Sequence, residues 1–217
     1  MSRPLYLVLV VLAFVTGMVD AVTYLAYGHV FAANMTGNVI VLGFALGGAS
    51  DISATASVVS LAAFIVGAGV SARLAAALEP TRYRWLVTML GLETVFLTVA
   101  AVLTLRPRGA TLDVLVVGLL AVAMGMRTVT VRRLGIADVS TTVLTSTLAA
   151  LAADMLARGT PFGGGGVRLV MVTAMLAGAA AGALLVGGGP TQVLVIGAGL
   201  LLLLTLAAYV ATRGRVN

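Results

Sequence analysis

Cysteine and lysine are both absent from this chain of 217 residues, and histidine occurs once, at His29. Without a thiol there is no disulfide, no thiolate nucleophile and no cysteine-ligated metal site. One imidazole likewise cannot build a His-rich metal cluster. Acidic residues are scarce too, seven against thirteen basic ones, and charged residues make up only 9% of the sequence. The basic residues are all arginine; the pI near 10.8 reflects loop charges and not a nucleic-acid surface. The glycine run GTPFGGGG at 159–166 lacks the Lys and Ser or Thr of a phosphate-binding loop. No strand-length alternation of polar and apolar residues recurs, which excludes a membrane β-barrel. What is present is apolar: 61% of residues are hydrophobic and the mean hydropathy is +1.16, the signature of a polytopic helical membrane protein.

The five prolines, at 4, 80, 107, 161 and 190, fall at the edges of apolar runs, where a residue without an N–H interrupts a helix at least cost. They mark off eight apolar elements, at 5–26, 30–49, 54–78, 84–105, 110–131, 138–158, 167–187 and 191–212. Most approach the ~20 residues a helix needs to cross a bilayer. The first follows Arg3 in the manner of a signal peptide, but it continues to Leu25 without a small-residue cleavage site and is expected to remain as a span.

Laying the fifth element on the first brings out a repeat. Gly17 and Met18 fall on Gly125 and Met126, and Met35, Thr36, Gly37 and Asn38 fall on Leu144, Thr145, Ser146 and Thr147, with one residue of slippage between. Farther on, Gly67 of FIVGAGVS falls on Gly178 of MLAGAAAG. Each match is weak alone, because Gly and Ala are common in membrane helices; their collinearity carries the reading. One membrane domain of two four-element halves, 1–106 and 107–217, is expected.

Charge decides what kind of repeat this is. If all eight elements cross, the arginines divide seven to six between the two sides, which leaves no positive-inside bias. If the second and sixth elements enter and leave on one side, only Arg106 and Arg108 lie outside and the other eleven lie inside. Three full spans per half then orient the halves oppositely, the inverted repeat common among secondary transporters. The expected fold is all-α, with six full spans and two re-entrant half-helix elements; eight full spans is the alternative. Both termini and Gly163 are expected on the cytoplasmic side of a bacterial inner membrane, with Asp51 outside.

The polar residues follow from this arrangement. A helix from Thr36 to Gly47 is about half the length of a span, and Asn34 or Thr36 is placed to cap it. Its partner begins at Thr145, Ser146 and Thr147. Two half-helix N-termini converging from opposite faces present free N–H groups and positive dipole ends, a natural anion site lined by Asn34, Thr36, Gly37, Asn38, Thr145, Ser146 and Thr147. Small polar residues that merely hold helices together are the alternative. Asp20, deep in the first span, and Arg127, which aligns opposite Val19, are candidates for coupling or gating through a mutual pair; Asp20 capping a neighbouring half-helix and Arg127 snorkelling to the membrane edge are the simpler roles. Glu93, in MLGLETVFL, is a third buried carboxylate, suited to a proton relay or an interhelical hydrogen bond. The small residues of GAGVSA and AGAAAGA indicate close helix packing.

At GMVDAVTYLAYGHVFAANMTGNVIVLG the sequence resembles the YoaK-like family of small bacterial inner-membrane proteins, classed as a domain of unknown function. Gly17, Asp20, Ala21, Gly28, Phe31, Asn34, Met35, Thr36, Gly37 and Asn38 fit that family's first motif. Gly125, Met126, Arg132, Arg133, Leu134, Gly135, Thr141, Thr142, Thr145, Thr147 and Leu148 fit its second. Departures fall at Arg127, Thr128, Val129 and Ser146, where the family pattern has Gln, Asn, Ala and Gly. The resemblance covers essentially the whole chain and implies the membrane location without bringing an activity.

The expected function is transport or channelling of a small anionic solute between residues 34–38 and 144–147, with a non-transporting scaffold or accessory subunit as the alternative. An enzyme is not expected, since no nucleophile and base stand together. No cofactor, metal or nucleic acid is expected; the partners are membrane lipid, the solute and, given the Gly-rich faces, a second copy in a homodimer.

Overall fold

A computed structural model describes residues 3–78, 81–134 and 165–213, together with Ala149, Ala152 and Leu156. The elements are helices: α1 (Arg3–Ala26), α2 (Met35–Leu46), α3 (Ala54–Leu78), α4 (Arg82–Leu103), α5 (Ala110–Arg133), α6 (Gly165–Val186) and α7 (Pro190–Arg213). Six of them are long and apolar enough to cross a membrane, and their bounds fall within about two residues of the runs read from the sequence. The exception is α2. Within the apolar run at 30–49 the helix has only 12 residues, roughly 18 Å, because Asn34 caps it and Gly47 ends it, one residue from the Thr36–Gly47 bounds expected. The matching sixth run, 138–158, with Thr145, Ser146 and Thr147, lies outside the described residues apart from Ala149, Ala152 and Leu156.

Hydrogen bonds at the helix ends fix how the spans alternate. The Ser53 N–H donates to the Gly28 carbonyl at 3.3 Å, and His29 Nδ1 lies 2.8 Å from the Asp51 carbonyl. So α3 starts at the end of the bundle where α1 finishes. Arg108, between α4 and α5, donates to the Ala26 carbonyl at this same end, and the Thr104 and Thr191 hydroxyls, 2.8 Å apart, bring the start of α7 there. The opposite end gathers Arg73, Arg84, Arg132 and Arg133.

The bundle is built on three helix pairings: α1 along α6, α3 along α5 and α4 along α7. The first two are backbone-to-backbone crossings. Gly17 lies against the Met175 carbonyl and Gly178 against that of Phe14, while Gly67 meets the Val122 carbonyl and Gly125 that of Phe64. A Cβ at any of the four positions would occupy space already filled by main chain. The close packing expected of GAGVSA and AGAAAGA is therefore present, and the glycines aligned in the sequence exchange partners: Gly17 and Gly125 each face a helix carrying the other aligned glycine. Leu12, Val15, Met18, Val19, Leu97, Leu120, Met124 and Leu201 fill the centre. Ile65, Val66, Leu176, Leu184 and Leu203 point outward, an apolar surface that only lipid can solvate.

Candidate functional site

Two buried polar clusters stand inside this apolar bundle. The first is the turn that leads into α2. Asp20 sits six residues before the end of α1, about 9 Å into the bundle at 1.5 Å per residue. One of its carboxylate oxygens accepts the N–H groups of Ala32 at 2.9 Å and Ala33 at 2.8 Å. Residues 27–34 are thus drawn inward from the end of α1. Asn38 and Ser60 hold the other side of the turn. The Asn38 amide accepts from the Phe31 N–H at 2.7 Å and donates to the Phe31 carbonyl at 2.6 Å, as a neighbouring strand would, and it also donates to Ser60 Oγ at 3.0 Å. Ser60 donates to the same carbonyl at 2.6 Å. Aromatic packing of Tyr24 on Phe31, 4.9 Å between ring centroids, and edge-on against His29 closes the turn.

The N-terminus of α2 therefore starts at the depth of Asp20 and Ser60. Only five residues separate Gly47 from Ser53, at most about 20 Å of chain, so the helix must climb back toward the end it came from. Asn34 caps it, its side-chain oxygen accepting from the Gly37 N–H at 3.1 Å. That was one of the two capping residues expected. The N–H groups of Met35 and Thr36 are those an α-helix leaves unpaired, and the side chains of Asn34 and Thr36 are exposed beside them.

The residues proposed from sequence thus separate by environment. Asn34 and Thr36 are exposed, the Asn34 oxygen being taken up by the cap. Gly37 is pressed against the Phe31 ring and the Asn34 amide, where a Cβ would come within 2.8–2.9 Å of both. Asn38 is fully buried and its amide is engaged on both sides.

The second cluster lies deeper. Arg127 of α5, 4% exposed, forms an ion pair with Glu93, near the middle of α4. It also donates to the Leu12 carbonyl at 2.7 Å and to Thr16 Oγ1 at 2.6 Å, both on α1. Its Nε–H has no acceptor among the described residues. This corrects two expectations: the carboxylate partner of Arg127 is Glu93 and not Asp20, and Arg127 does not snorkel. The reason is packing order. α5 lies beside α4, so the Arg127 side chain reaches Glu93, whereas Asp20 is committed to the turn before α2. Of the simpler roles, Asp20 as a cap is close to what is found, although it holds the N–H groups just ahead of the helix.

A third contact seals the end of the bundle. Arg108 donates to the last carbonyl of α1, pairs with Asp113 at 3.3 Å and lies 5.0 Å over the Tyr27 ring. Burial pushes the Tyr27 phenol up to about 12, against the pull of Arg108, so it stays protonated. Sequence reasoning missed Ser60, Thr16 and this arginine clamp. The spacing Ser53, Ser57 and Ser60 along one face of an otherwise apolar helix was the available signal for Ser60.

Among the described residues no group of acidic residues and histidine is placed to hold a metal ion. Six apolar spans, a short helix that starts inside the bundle and a charge pair buried at mid-depth define a multi-pass membrane protein with a few polar groups in its interior. The chain belongs to the family described as Protein of unknown function (DUF1275), whose model matches residues 8–207. It is 38% identical over 148 residues to the UPF0700 transmembrane protein YoaK of Bacillus subtilis (strain 168); the match takes in 68% of this chain and 65% of that relative. The resemblance read from the motifs around Asn34 and Thr145 is in line with this. No solved structure matches the chain.

Proposed function

We propose that the protein is a transporter or channel for a small, anionic solute of the bacterial inner membrane, and not an enzyme. The observation that carries this is the start of α2 inside the bundle, with Asn34 and Thr36 exposed beside the N–H groups of its first turn. A 12-residue helix that leaves and returns on one side is read as a re-entrant half-helix, and its inner end offers an anion oriented donors and a positive dipole. The exchange of Gly17, Gly67, Gly125 and Gly178 partners between two crossings supports an inverted repeat; Thr145, Ser146 and Thr147, the partner site expected from the sequence, lie outside the described residues. In this reading Asn38 and Asp20 position the turn, and the Glu93 and Arg127 pair joins α1, α4 and α5 around it. The arginine-rich end faces the cytoplasm by the positive-inside rule, with both termini there.

Purified protein in liposomes is expected to speed the flux of at least one of chloride, nitrate, sulfate, phosphate or a small carboxylate. Asn34→Ala combined with Thr36→Val should cut that flux on the order of tenfold, the scale of one lost hydrogen bond to a charged group. A folded protein that passes none of these anions faster than empty liposomes overturns transport and leaves the scaffold reading.

The topology has its own test, since the chain has no native cysteine. A cysteine at Asp51 should react with an impermeant thiol reagent from outside intact cells. Protection at that position until the cells are opened would remove the re-entrant reading.

A further inference from the structure

The start of α4 carries charges of the wrong sign for a helix in isolation. Thr81 occupies the cap position without forming a side-chain cap bond, and no acidic residue stands in the first turn. Instead the helix begins Arg82, Tyr83, Arg84, and Arg84 places a cation at the positive end of the helix dipole. Three more arginines gather at this end of the bundle: Arg73 toward the end of α3, and Arg132 and Arg133 in the last turn of α5. Arg73, Arg84, Arg132 and Arg133 are all exposed. The two ion pairs among the described residues involve Arg108 and Arg127, so none of these four has an acidic partner there.

One member of the group is held in place. The Arg133 guanidinium lies 5.4 Å over the ring of Trp85, in the first turn of α4. Trp85 is 1% exposed and packs with Ala75 of α3 and Met126 of α5, so it is a fixed platform where the three helices meet. Its indole N–H has no acceptor among the described residues. Arg132 and Arg133 alone would be explained by the negative end of α5. That account does not cover Arg84, which the dipole of α4 disfavours and which an anion among these guanidinium groups would favour.

We propose that this end of α3, α4 and α5 is a binding site for the headgroup of an anionic phospholipid. The site lies at the ends of membrane spans, where headgroup phosphates are found, and guanidinium groups match phosphate oxygens in a bidentate fork. Its occupant is the phosphate of a membrane lipid, and its place is on the opposite end of the bundle from Arg108 and the turn at His29.

Trp85 is the only tryptophan in the chain, so its fluorescence reports directly on lipid at this site. The wild-type protein is placed in vesicles containing a fixed fraction of brominated lipid, either phosphatidylglycerol or phosphatidylcholine. Quenching by the anionic lipid is expected to exceed that by the zwitterionic one, and the preference should fall by about fivefold for each arginine removed in Arg84→Gln, Arg132→Gln and Arg133→Gln. Arg106→Gln, at the other end, should leave it unchanged. Equal quenching by the two lipids overturns the proposal, as does a preference that survives all three substitutions together. Relief of quenching by added inorganic phosphate alone, with sodium chloride of equal ionic strength as control, would assign the site to free phosphate and overturn the lipid. The wild-type comparison stands even if a substituted protein fails to fold.

Discussion

Replacing Glu93 by alanine is expected to destabilise the purified protein by about 3–5 kcal/mol, while replacing Glu93 and Arg127 together by leucine returns most of that loss. The reasoning starts from burial: both side chains are 3–4% exposed, near the middle of α4 and against α1. With Glu93 gone, Arg127 keeps the Leu12 carbonyl and Thr16, two neutral acceptors, and remains a cation without a counterion in a medium that hydrates it poorly. Arg127→Ala creates the converse fault, an unpaired Glu93. The double leucine variant removes both charges and also the Arg127 Nε–H that has no acceptor among the described residues. Thr16 is not orphaned by it, because its hydroxyl also donates to the Leu12 carbonyl at 2.8 Å. Equilibrium unfolding in mixed detergent micelles measures all three. Single variants within about 0.5 kcal/mol of the parent, or a double variant as unstable as either single, would sink this account of the pair. Flux through a stable double variant then separates a purely structural pair from one that takes part in transport.

The pair also shows where sequence reading stops. Asp20, Glu93 and Arg127 were all visible as charges inside apolar runs, because such charges are rare and costly in a membrane. Their pairing was not visible. Alignment of the first and fifth elements put Arg127 opposite Val19, next to Asp20, and so invited the wrong partner; the choice depends on α5 lying along α4, which hydropathy does not encode. Local signals were read better. Asn34 before an apolar run is a capping residue by its chemistry, and α2 begins where that cap places it. The span boundaries followed from proline positions and run lengths, both local properties. Ser60 lay between these cases: its spacing from Ser53 and Ser57 was legible, but its acceptor, the Phe31 carbonyl 29 residues away, belongs to the folded turn.

Glycine to alanine substitution is expected to separate the four glycines at the helix crossings sharply from those that face open space. At Gly17, Gly67, Gly125 and Gly178 the new methyl group meets the carbonyl of a crossing helix, and a backbone cannot swing aside as a side chain can. Separating two helices to admit it also breaks the close van der Waals contact that holds them, since lipid gives no hydrophobic drive for association. A loss of roughly 1–3 kcal/mol or more per site is expected, the range of core overpacking. At Gly43 and Gly69 a Cβ meets nothing within 4 Å, and alanine there gains up to about 1 kcal/mol from helix propensity alone. The chemistry of the change is identical in the two sets, so only the crossings distinguish them. Thermal unfolding of the six variants in one detergent measures this, and Gly178→Ala melting with Gly43→Ala would mean that α1 and α6 do not cross as closely as described. The crossings also bear on the inverted repeat. If α1 with α6 and α5 with α3 are equivalent pairings, Gly17 and Gly125 should respond alike, as should Gly67 and Gly178. Unlike responses within both pairs would leave the close contacts intact as local packing and remove their support for two matching halves.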